Sequence, residues 1–218
     1  MGYRTLGLEN RIAMENNLKD HWEHIYTTKQ PREVSWTQEI PTTSIKLIEE
    51  LNLSKDASII DVGGGDSHLV DYLLKEGYTN LTVLDISAAA IERAKKRLQS
   101  DADKVKWVVS DILDFNPDTT YTLWHDRASF HFQITEKAIN QYLSILAKAT
   151  EGYAIVGGFS SEGPKKCSAL EIKQYNEEAI QQCMANAELE TLKTLRVDHI
   201  TPMGGFQNFL FGVFQKHA

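Results

Sequence analysis

From residue 57 onward the chain alternates short apolar runs with stretches whose apolar residues recur at helical spacing. That rhythm predicts a parallel sheet covered by helices on both faces. Ser58 to Val62 reads as a first strand, and Leu69, Val70, Leu73 and Leu74 stripe a helix that Gly77 can end. Asn80 to Asp85 is a second strand, Ile91, Ala94 and Leu98 mark a second helix, and Val105 to Val109 is a third strand. Tyr121 to His125 forms a fourth. Ile139, Tyr142, Leu143, Leu146 and Ala147 stripe a helix before a fifth, Tyr153 to Val156. After a loop with Gly163, Pro164 and Cys167, a helical face runs from Tyr175 to Ala187. Leu189 to His199 and Phe206 to Phe214 then read as strands joined by Thr-Pro-Met-Gly-Gly, a hairpin that brings the last strand in antiparallel.

Ahead of the sheet, Leu18, Trp22, Ile25 and Tyr26 mark a helix, and Ser44 can cap another carrying Ile45, Ile48 and Leu51. The fold expected is α/β: a Rossmann-like, seven-stranded, mostly parallel sheet with helices on both faces. One domain over 1–218 is expected, its residues 1–55 a helical accessory or lid and 56–218 the core.

Charge narrows the partners. A net charge of −7 over 218 residues gives no general attraction to phosphate backbones, so nucleic acid is not an expected partner. No apolar run approaches the roughly 20 residues a bilayer span needs, so no membrane is expected. The polar, aromatic first thirty residues and two cysteines, Cys167 and Cys183, point to a reduced, cytoplasmic setting.

The candidate chemistry lies at strand ends. Ile60-Asp61-Val62-Gly63-Gly64-Gly65-Asp66-Ser67 closes the first strand and opens the first helix, where a nucleotide-type ligand meets a parallel sheet. His68 stands where a dinucleotide fingerprint has its third glycine. With Asp61 and Asp66 and no Lys or Arg, the loop suits a sulfonium and an α-amino group better than a pyrophosphate. Asp85, twenty-four positions after Asp61, can accept from both ribose hydroxyls. At Ser110-Asp111-Ile112, Asp111 can accept from an adenine amine and Ile112 can pack on the ring. Each Asp can also simply cap a helix or turn, and for Asp66 and Ser67 capping weighs at least as much as ligand contact.

Asp61-x-Gly63-x-Gly65, Leu84-Asp85-Ile86-Ser87 and Ser110-Asp111-Ile112 together resemble the cofactor motifs of class I S-adenosylmethionine-dependent methyltransferases, over about residues 57 to 160. Ser67 stands where that family often has a glycine. The resemblance implies that S-adenosyl-L-methionine is the cofactor. Asp61 and Gly63, Gly64 and Gly65 would hold its methionine end with Ser67 nearby, Asp85 and Ile86 its ribose, and Asp111 and Ile112 its adenine.

Trp124-His125-Asp126-Arg127-Ala128-Ser129-Phe130-His131-Phe132 follows the fourth strand, where that family places acceptor-facing residues. It lacks the Asn/Asp-Pro-Pro-aromatic run of enzymes that methylate amino groups of nucleic-acid bases or protein amides, and the Pro-Cys nucleophile of pyrimidine carbon methylation. Asp126-Arg127-x-Ser129 is similar to a loop of thiopurine-type small-molecule methyltransferases. Trp22-x-x-x-Tyr26 with Trp36 is similar to the cofactor-covering segment of that group and of lysine methyltransferases acting on elongation factors.

Methyl transfer from a sulfonium needs positioning and desolvation, and a base only for a protonated acceptor. His125 and His131 are the candidate bases, with Asp126 to orient one of them or a substrate amine. Either histidine can equally be core, Asp126 and Arg127 can pair with each other, and Trp22, Tyr26 and Trp36 either cover the sulfonium or only dock their helix. No close ligand pair at a recognised spacing points to a metal. His199, Pro202 and Gln207 can reach the same pocket from the hairpin. The expectation is methyl transfer to a small molecule, with protein lysine as the second reading; a nicotinamide oxidoreductase and a non-catalytic binding protein rank below.

Overall fold

In the computed structural model, which describes residues 18–217, a seven-stranded sheet runs in the order β3-β2-β1-β4-β5-β9-β8. The strands are β1 (Ser58–Val62), β2 (Asn80–Asp85), β3 (Val105–Val109), β4 (Tyr121–Arg127), β5 (Thr150–Phe159), β8 (Leu189–Ile200) and β9 (Phe206–Lys216). The first five pair in parallel, and β9 enters antiparallel to β5 and β8, as the hairpin pattern predicts. Gly204, at φ +81°, supplies the left-handed residue of that hairpin, and Thr201 closes it through Gly205.

Helices cover both faces. They are α1 (residues 18–28), α2 (Thr42–Glu50), α3 (Leu69–Lys75), α4 (Ala88–Leu98), α5 (Glu136–Ala149) and α6 (Glu177–Ala185). Strand alternation divides the core. Ile60, Val62 and Trp124 pack with α5 and α6, whereas Ile59, Leu123 and Ile155 pack with α2 and α3. Among the described residues no helix is long and apolar enough to cross a membrane. The stretch 1–17 of the expected N-terminal accessory lies outside the described residues.

Several local expectations are corrected, β5 among them, which runs from Thr150 to Phe159 and not only from Tyr153 to Val156. Ser44 does not cap α2: the helix begins two residues earlier behind Pro41, and Ser44 is buried inside its first turn. β4 continues past His125 to Arg127, because Asp126 and Arg127 still pair with Val156 and Gly157 of β5. The stretch after β5 is not all loop: β6 (Lys166–Cys167) and β7 (Leu170–Glu171) form a small hairpin. Tyr175 and Ala187 lie outside α6, which Asn176 starts by accepting from Ala179 N.

The chain winds outward from β1 through β2 to β3, then returns to place β4 on the other side of β1. Connections leave β1 and β4 in opposite directions, so a crevice opens beyond their carboxyl ends. In open α/β sheets that is where ligands bind.

Candidate functional site

A cavity occupies that crevice. Asp61, Gly63, Gly64, Asp66 and Ser67 line it from the β1 turn, and Asp85 and Ile86 from the end of β2. Asp111 and Ile112 line it beyond β3, His125 and Arg127 from β4, and Trp36 from the N-terminal segment. Among the cofactor and catalytic candidates from the sequence, Gly65, Asp126 and His131 do not line it.

The glycine turn folds back onto β2, with Gly63 N and Gly64 N both donating to Leu84 O. Gly63 and Gly65 have φ of +67° and +35°, and a Cβ on Gly65 would stand 2.5 Å from Asp85 Oδ2. Gly65 therefore lies behind Asp85, and its lack of a side chain lets that carboxylate sit against the turn. A Cβ on Gly63 would stand 2.9 Å from Ser129 Cβ, so the turn abuts the loop that follows β4.

The acidic residues are engaged differently. Asp85 is buried and accepts from Ser87 N at 2.8 Å. Burial, with the charges of Asp61 and Glu23 nearby, pushes its carboxyl up to about 7 against the pull of the Ser87 bond. Asp66 is tied to Arg97 and lies 3.8 Å from Arg93. Ser67 Oγ accepts from Leu69 N at 3.1 Å, the expected hydroxyl at the head of α3. Asp111 accepts from Leu113 N at 2.8 Å beside the buried Ile112.

His125 is 2% exposed and joined on both ring nitrogens. Nδ1 lies 2.6 Å from Asp61 Oδ1, and Nε2 lies 2.9 Å from Ser44 Oγ. Since a carboxylate accepts, Nδ1–H is the donor to Asp61, and in the tautomer this leaves, Nε2 can accept from the Ser44 hydroxyl. The arrangement is Asp61–His125–Ser44, with Ser44 itself lining the cavity. Nothing in the sequence singles Ser44 out for this, because α2 and β4 meet only in the folded chain.

Asp126 and His131 have other partners. Alternation turns Asp126 to the opposite face from His125 and Arg127, so it neither pairs with Arg127 nor bonds either histidine. Asp126 accepts from Ser129 N, Phe130 N and the Tyr142 hydroxyl, which in turn accepts from Trp124 Nε1 at 3.0 Å. It shapes the loop after β4, and burial pushes its carboxyl up to about 6. His131 is buried between Phe132 and Phe159, and burial beside the positive Arg127 pushes it down to about 3.

The cover over the cavity is aromatic. Trp22 meets Trp36 and Phe132 edge-on at 5.5 and 5.3 Å, and Tyr26 lies 6.3 Å from Trp22. Glu23 of α1 reaches across to the head of α4, accepting from Ser87 Oγ, Ala88 N and Ala89 N. A glutamate on an exposed-looking helix carries no sequence signal for that contact. His199 and Gln207 do not line the cavity: both hold Ser35, through its carbonyl and hydroxyl. From the loop after β5, Cys167 lines it, with burial pushing its thiol up to about 12.

Residues 59–151 match the family model described as a methyltransferase domain. The chain is 25% identical over 116 residues to EEF1A lysine methyltransferase 2 of Mus musculus, covering 49% of this chain and 47% of that protein. It is 32% identical over 79 residues to malonyl-[acyl-carrier protein] O-methyltransferase 1 of Ilyobacter polytropus, covering 36% and 29%. It spans about half the length or less of these curated relatives. Among solved structures, the Burkholderia thailandensis 1,6-didemethyltoxoflavin-N1-methyltransferase with bound S-adenosylhomocysteine superimposes with a TM-score of 0.70 at 17% identity, covering 96% and 90% of the two chains.

Proposed function

With a methyltransferase domain over residues 59–151 on the fold of the class I S-adenosylmethionine-dependent methyltransferases, we propose that this chain binds S-adenosyl-L-methionine in the β1–β4 crevice and methylates a small-molecule acceptor. One observation carries the reading: Asp61, Asp85 and Asp111, from three separate strand ends, line a single cavity together with the glycine turn.

The residues fit that cofactor. The turn presents bare backbone where Cβ atoms would strike the Asp61 and Asp85 carboxylates. On this reading Asp85 accepts from the ribose hydroxyls, Asp111 and Ile112 take the adenine, and Gly63 and Gly64 take the methionine end. Asp61 is spoken for on Oδ1 by His125, so its part at the methionine end falls to Oδ2. When bound, the cofactor supplies an electrophilic methyl group.

The chain's own groups position the acceptor, exclude water and manage a proton. Trp22, Trp36 and Phe132 wall the cavity and desolvate the reacting pair. For an acceptor that arrives protonated, the proton passes to Ser44 Oγ as the Ser44 proton moves to His125 Nε2, and Asp61 stabilises the resulting imidazolium. The relay makes His125 a base acting through Ser44. Asp126 and His131 serve by shaping the wall.

Protein lysine is the second reading, favoured by the mouse relative. Titration calorimetry with S-adenosylhomocysteine and NADH tests the cofactor, and binding of NADH alone overturns the proposal. Methyl-labelled cofactor offered to separate metabolite and protein pools tests the acceptor class.

A further inference from the structure

Arg127 ends β4 on the face that carries Asp61 and His125, and pairs along its backbone with Gly157 of β5. Its place is on the acceptor side of the cavity, one strand beyond β1 and two or more from Asp85 and Asp111. The guanidinium carbon sits 5.1 Å from the Phe209 ring centre, and Nη1 donates to Trp36 O at 3.0 Å. Nη2 is buried and has no hydrogen-bond partner among the described residues. Among the described residues no carboxylate forms an ion pair with it: Asp61 is close enough to be felt but already holds His125, and the Cys167 thiol is neutral.

A buried cationic donor left unmated is costly in the free protein, and a ligand that supplies an acceptor recovers that cost. The turn after Arg127 holds it in place, since Ala128 stands at φ +71° with its N–H on Gly157 O. Burial lowers the guanidinium to about 10, which still leaves it charged at neutral pH. A fixed positive charge here repels an ammonium and attracts an oxyanion.

We propose that the methyl acceptor is an anion, a small molecule bearing a carboxylate or similar oxyanion that Arg127 Nη2 receives while Trp36 and Phe132 wall its apolar body. The inference rests on the methyltransferase reading for what the acceptor end is, and narrows the substrate class away from lysine.

The test uses the full chain loaded with S-adenosylhomocysteine, titrated with benzoate, nicotinate and indole-3-acetate and with the matching amides. Loading is measured first, so a protein that takes no S-adenosylhomocysteine counts against the methyltransferase reading and not against Arg127. The carboxylates are expected to bind at least about tenfold more tightly than their amides. Arg127→Met is expected to erase that preference with S-adenosylhomocysteine affinity nearly unchanged, and Arg127→Lys to keep part of it. A wild-type protein that does not favour carboxylates, or an Arg127→Met protein that still does, overturns the proposal. So does loss of S-adenosylhomocysteine binding in a folded Arg127→Met protein, which would give the guanidinium to the cofactor's own carboxylate. The wild-type comparison needs no variant, so misfolding of one leaves the test standing.

Discussion

Glu23 and Ser87 meet where the N-terminal segment crosses the mouth of the cavity: the Ser87 hydroxyl donates to Glu23 Oε2 at 3.0 Å. The same carboxylate receives Ala88 N at 2.8 Å and Ala89 N at 3.0 Å, while Ser87 Oγ accepts from Ala90 N. Free N–H groups and the helix dipole favour an anion at that helix end, so α1 is held by a charge-assisted latch beside Asp85.

If the segment is a lid, Glu23→Gln loosens it. The latch is worth roughly 1 kcal/mol, so S-adenosylhomocysteine affinity should fall about fivefold. Hydrogen exchange over residues 18–36 should slow on adding S-adenosylhomocysteine in the wild type, and slow less in the variant. Exchange that ignores the ligand in both proteins would defeat the lid.

Asp85 gives a pH dependence with a definite sign. Its folded value, about 7, lies above its ordinary 3.8 because burial disfavours the charge. The folded protein therefore holds the proton more tightly, and this group's contribution to stability is present below about pH 4 and lost as pH rises to about 7. On the proposal that the ionised Asp85 receives the ribose hydroxyls, affinity should run the other way and weaken as pH falls through 7. Asp85→Asn should raise the Tm of the cofactor-free protein at pH 8 and cut S-adenosylhomocysteine affinity at least about tenfold. A variant that binds normally removes Asp85 from the site.

The Asp61–His125–Ser44 chain predicts a shared phenotype. His125→Asn and Ser44→Ala should each lower kcat by about 10²- to 10⁴-fold on an acceptor that must lose a proton, with small changes in cofactor affinity. The double variant should be little worse than either one, because both break the same path. If KM rises while kcat holds, the two residues only shape the pocket.

Gly64→Ala tests the turn. A Cβ there would lie 2.6 Å from Asp61 Oδ2 and 3.0 Å from Val83, and the strand beneath offers no room to retreat. Cofactor affinity is expected to drop while the sheet stays folded, read by calorimetry beside circular dichroism. Unaltered affinity would show that Asp61 has slack the geometry does not allow it.

The parts most open to reading were those governed by neighbours in sequence. β1, β2 and β3 fall where strand-length apolar runs end at Val62, Asp85 and Val109, because buried parallel strands need little beyond such a run. The three acidic strand ends followed, since topology alone puts them at one edge. β4 and β5 were drawn short: Arg127 and Gly157 are not apolar, yet they pair with each other because the ladder is a backbone property.

The amino-acid order by itself thus determined the sheet, its reversed last strand and the acidic, glycine-lined edge, all consequences of period and spacing. Tertiary structure alone decided which polar groups act on one another. Alternation on β4 sends Asp126 to Tyr142 and Arg127 toward the cavity; α2, 81 positions away in sequence, delivers Ser44 to His125; and α1 delivers Glu23 to α4. A hydrogen bond requires two groups within about 3 Å, and that coincidence between distant segments is fixed by packing, which no local pattern records.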